Sequence, residues 1–115
     1  MNMKERTGAR GALLDEYEAA LKDLKKTVKK ISDEDLTKIL DRKTKDENCR
    51  TIQNILSHVI ICGYYNVIRI LRHKSSSKNI EEKFPFPQLV KLNKISEYNK
   101  AIDEMFAFTE KSILN

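Results

Sequence analysis

The sequence predicts an all-α fold, an antiparallel bundle of three long helices and one short one. Three observations carry this expectation. Apolar residues recur at steps of three and four in separate segments, the spacing of one helix face. Only 3 Gly and 2 Pro occur in 115 residues, too few for a β fold with many tight hairpins. Hydrophobic residues make up 40% and charged residues 34%, a balance that excludes disorder and suits a single domain over residues 1–115. A chain of this size buries roughly 65% of the surface its unfolded form exposes, so it needs neither disulfides nor a structural metal to fold.

The first helix is read from Leu13, Leu14, Tyr17, Leu21, Leu24, Val28 and Ile31, one stripe of about five turns. Its other face carries Glu18, Lys22, Lys26 and Lys30, with Glu18 one turn before Lys22 in the favourable order. Asp15, Glu16 and Asp23 share that helix, so the lysines read as a solvated face rather than a nucleic-acid surface. Ser32-Asp33-Glu34-Asp35 then reads as an N-cap with acids in the first turn of a short helix whose apolar edge is Leu36, Ile39 and Leu40. Asp41 to Arg50 is a charged surface loop.

Thr51 opens the strongest hydrophobic segment, from Ile52 through Ile55, Leu56, Val59, Ile60 and Cys62 to Val67, Ile68, Ile70 and Leu71. Its β-branched residues favour strands, but about twenty residues without a turn signal favour a central helix. Gly63 in its middle costs about 1 kcal/mol relative to Ala and marks close helix packing. Residues 74–88, with three serines and both prolines, form the longest loop. A last helix starts between Leu92 and Ser96 and presents Ile95, Tyr98, Ile102, Met105, Phe106 and Ile113. Three long helices leave a groove that a fourth would fill, so domain swapping or dimerisation is expected to complete the bundle.

The net charge is +5, and its excess is local: residues 66–100 carry 8 positive and 3 negative groups, whereas residues 1–65 carry 13 and 11. The end of the central helix and the loop after it can therefore meet an anion or form a soluble surface. No run of about 18 apolar residues is evident, and the N-terminal charges are not followed by the hydrophobic core of a signal peptide. The expected location is the cytoplasm, with no membrane and no nucleic acid among the partners. Cys49 and Cys62 have no CxxC spacing and read as reduced thiols.

Chemistry-bearing residues are few. His58 and His73 are separated by 15 residues of helix, roughly 22 Å at about 1.5 Å per residue, and cannot share a metal within one chain. His73 at the polar helix end reads as a C-terminal dipole partner. His58 lies beside an apolar stripe, where it reads as a hydrogen-bonded bundle histidine or as a metal ligand. Cys62 follows one turn later, a spacing that lets both side chains bind one ion, with Glu16, Glu18, Asp103 and Glu104 as the acids available to complete it. Tyr64 and Tyr65 read as core and interface residues. P-loop, dinucleotide, metallohydrolase and nucleophile-elbow motifs are all missing.

Three segments carry a family resemblance: Gly8-Ala9-Arg10-Gly11-Ala12-Leu13-Leu14-Asp15-Glu16-Tyr17-Glu18, Ile31-Ser32-Asp33-Glu34-Asp35-Leu36, and Cys49-Arg50-Thr51-Ile52-Gln53-Asn54-Ile55-Leu56-Ser57-His58-Val59. Together they resemble the DinB family of DinB/YfiT-like metalloenzymes, with a weaker match over Asp103 to Glu110. The resemblance implies an up-down-down-up four-helix bundle, commonly dimeric. It further implies a divalent metal, nickel, zinc, iron or manganese, held by a helix-two histidine and a His-x3-His pair on the final helix. His58 matches the helix-two ligand. The other two ligands have no counterpart, so the chain reads as an incomplete DinB-like domain.

Three functions follow as expectations. The first is a DinB-like bundle of unknown activity with a vestigial or incomplete metal site at His58. The second is a metal-dependent thiol transferase or hydrolase whose site is completed across a homodimer, by Cys62 or by acids. The third is an interaction module that takes a partner helix in its open groove.

Overall fold

The computed structural model describes residues 6–75 and 79–114. Its helices are α1 (Gly8–Val28), α2 (Ile52–Lys74), the single turn α3 (Ile80–Lys83) and α4 (Ile95–Leu114). Tight 3-10 turns lie at Asp33–Thr37 and Glu47–Cys49, and no strand occurs among the described residues. The short helix expected after Ser32 is thus a 3-10 turn. Three acids crowd its five residues, while Leu36 is fully buried as a plug beneath the bundle.

Side-chain contacts set the helix directions. Arg6, just before α1, reaches Glu110 near the end of α4, Tyr17 meets Phe106 at a ring separation of 5.9 Å, and Val28 packs with Ile95 and Tyr98. Hence α1 and α4 run antiparallel. Along α2 the order is the opposite: Gln53 donates to the Leu92 carbonyl, Ser57 meets Tyr98, and Tyr64 packs on Phe108. α2 and α4 therefore run parallel, and the simple antiparallel expectation is corrected to up-down-down. A parallel neighbour needs a long crossover, which residues 75–94 supply. Residues 76–78 of the expected loop lie outside the described residues.

The core has two layers, one of Val28, Leu36, Leu56, Ile95 and Tyr98 and one of Leu21, Ile102 and Met105. Fully buried Tyr98 needs partners for its hydroxyl. It accepts from the Leu92 N–H at 3.0 Å and shares a 2.6 Å hydrogen bond with Ser57, whose oxygen also lies 3.1 Å from the Val90 carbonyl. This buried pair ties the crossover to α2. Gly63 permits α2 and α4 to approach closely, since a Cβ there would overlap the Met105 thioether.

Capping residues explain where the helices begin. Thr51 accepts from the Asn54 N–H at 3.0 Å to open α2. The start of α4 is capped from a distance, because its Ile95 N–H donates to the Asp33 carboxylate at 2.7 Å. The acidic 3-10 turn thus anchors a helix 62 residues further on.

Candidate functional site

His58 and Cys62 occupy successive turns of α2 and do meet: the Cys62 sulfur lies 3.4 Å from His58 Nε2 and 3.7 Å from Nδ1. Both project from the side of α2 turned away from Leu56, Ser57 and Val67, which face the core. His58 is exposed and Cys62 half-buried. The histidine is therefore not inside the bundle, and its ring faces solvent and the neighbouring thiol.

Two of the four acids proposed to complete a metal site, Glu18 and Asp103, are paired elsewhere. Glu18 binds Arg6, and Asp103 pairs with Lys25 across the α1–α4 seam. Among the described residues no group of three or more His, Cys, Asp or Glu side chains is placed to hold an ion. A catalytic zinc takes three protein ligands and a structural one four. The donor set of one chain, His58 plus Cys62, does not fit either. His73 sits exposed in the last turn of α2 between Arg72 and Lys74, as its dipole reading expected.

The face around the pair is apolar. Ile55, Val59 and Cys62 follow at steps of four and three, and Ile55 retains 36% of its surface in contact with solvent. None of the three belongs to either core layer. α2 thus carries a second hydrophobic stripe behind the first. By length and composition it is also apolar enough to cross a membrane, which corrects the reading that no such stretch exists, although a core helix meets the same criterion.

Electrostatics concentrate at the other end of α1. The Arg6 guanidinium donates to Asp15 at 2.9 Å, to Glu18 at 3.0 Å and through Nε to Glu110 at 2.8 Å, and lies 5.4 Å from the Phe106 ring. Hydrogen bonds to these carboxylates raise its already high pKa further. Gly11 makes room for this return of the chain, since a Cβ there would stand 2.5 Å from the Arg6 carbonyl carbon. The cluster is a clamp between α1 and α4. Cys49 is not an activated thiol: desolvation and the nearby Asp46 carboxylate push its pKa up.

A groove of about 680 Å³ opens where the start of α1 and the ends of α2 and α4 converge. Val67, Leu71, Phe84, Phe108 and Ile113 form its apolar walls. Arg10, Lys74, Lys83 and Lys111 stand around them. The charge excess over residues 66–100 signalled two of these cations, whereas Arg10 and Lys111 come from sequence-distant helix ends and were missed.

No family model matches the chain, and neither a curated protein nor a solved structure matches it.

Proposed function

We propose that this chain is a DinB-type bundle module that works as a homodimer, with the outer face of α2 buried against a second copy. One observation carries the reading: the stripe of Ile55, Val59 and Cys62 lies outside both core layers, with Ile55 exposed and Val59 and Cys62 half-buried. Covering such a stripe is favourable by roughly 25 cal/mol per Å² of apolar surface. The up-down-down order supports the DinB-type reading, since it is the order that the resemblance implies for the first three helices.

In this reading His58 and Cys62 are a two-ligand remnant or half-site, and a metal-dependent transferase or hydrolase acting from one chain is disfavoured by the donor set. A two-fold axis near α2 would bring two such pairs together. The test is the mass of the protein in solution, wild type against Ile55→Asp, which places a charge on the stripe without touching the core.

A further inference from the structure

We infer that the groove between the ends of α1, α2 and α4 is a binding site for a free long-chain carboxylate. This goes beyond the assembly reading and rests on different residues. Its volume of about 680 Å³ falls within the range of roughly 300–1,000 Å³ typical of small-molecule sites. The walls are apolar, with Phe84 and Phe108 facing the α2 residues Val67 and Leu71.

Charge complementarity selects the ligand. Arg10, Lys74, Lys83 and Lys111 line the groove, no Asp or Glu lines it, and none of the four forms an ion pair with a carboxylate among the described residues. Arg10 spends one N–H on the Ile113 carbonyl at 3.5 Å. Among the described residues ion pairs are formed by Arg6 with three carboxylates, by Lys25 with Asp103 and by Lys38 with Asp35. An apolar slot edged by four cations and no carboxylate fits an apolar chain that ends in one anionic head.

The wall is held in place from α2. Arg72 Nε donates to the Phe84 carbonyl at 2.9 Å, and its guanidinium stacks 4.0 Å from the centre of the Phe86 ring. Phe86 in turn packs edge-on against Tyr65 at 4.6 Å. Phe84, which lines the slot, is thus fastened to α2 through its own carbonyl and through Phe86.

The experiment is isothermal titration of the full chain with myristate below its micelle concentration. Octanoate, dodecyltrimethylammonium and vesicles containing phosphatidylserine serve as comparisons. Saturable binding of myristate, weaker binding of octanoate and none of the cationic amphiphile is the expected result. Lys74→Glu combined with Lys111→Glu should weaken myristate by about tenfold or more, the loss of a charge-assisted contact. Ile113→Asp should do the same while circular dichroism stays unchanged. If the double variant fails to fold, the wild-type comparison of anionic with cationic amphiphile decides alone. Equal binding of the two, absence of saturation, or binding to the vesicles without binding to free myristate would overturn the inference.

Discussion

The His58 ring and the Cys62 thiol meet at 3.4 Å on the face of α2 that the core does not use. Two ligands one turn apart hold a divalent ion weakly, because a stable zinc site needs four donors and a catalytic one three. Monomeric protein is therefore expected to release zinc on dialysis against a chelator. If dimerisation brings two pairs together, metal retention should rise with protein concentration and disappear in His58→Ala, as elemental analysis per chain would show.

Gly63 faces Met105, and the thioether is pinned, with the Tyr17 hydroxyl 3.1 Å from its sulfur. Helix propensity alone would favour Gly63→Ala by about 1 kcal/mol. Overpacking a filled core costs about 1–3 kcal/mol, so the net effect should be destabilising. A urea midpoint that rises in the variant would show that Met105 moves aside freely.

The Tyr98 hydroxyl serves Ser57 and the Leu92 N–H at once. Tyr98→Phe should cost about 1–3 kcal/mol, because buried partners are left unmade, and Ser57→Ala should cost less, since the tyrosine keeps the Leu92 contact. Chemical denaturation of both variants gives the order. The reverse order would mean that Ser57 anchors the crossover chiefly through Val90.

The Lys38 ammonium and the Ser32 N–H hold the Asp35 carboxyl below its ordinary pKa. A depressed folded-state pKa contributes stability above the unfolded value, which is lost as pH falls through the folded one. The advantage of wild type over Asp35→Asn should therefore be constant above about pH 5 and shrink below about pH 4. Thermal melts across that range check it. A gap that widens on acidification would contradict the assignment.

Periodicity made α1, α2 and α4 legible, and the stop at the serines and prolines marked the crossover. The parallel relation of α2 and α4 was not legible in periodicity, because an apolar stripe reports which face is buried and not which way its neighbour runs. The remote cap of α4 by Asp33 was hidden for a similar reason: the acid reads locally as the start of its own turn. The i, i+4 spacing correctly joined His58 to Cys62. It did not tell which side of α2 they occupy, since α2 has apolar residues on both, and the inner one is revealed only by Leu56, Ser57 and Val67 packing against the rest. The groove cations were half visible, because two of the four sit in the basic segment and two reach it only through the fold.

The most direct test of the central claim is sedimentation equilibrium of the untagged chain across a wide concentration range, beside Ile55→Asp. A mass approaching twice 13.4 kDa for wild type, and a single-chain mass for a variant with unchanged helicity, is the predicted result. A wild-type protein that stays at the single-chain mass at every concentration, or a variant that dimerises as well as wild type, would contradict the account.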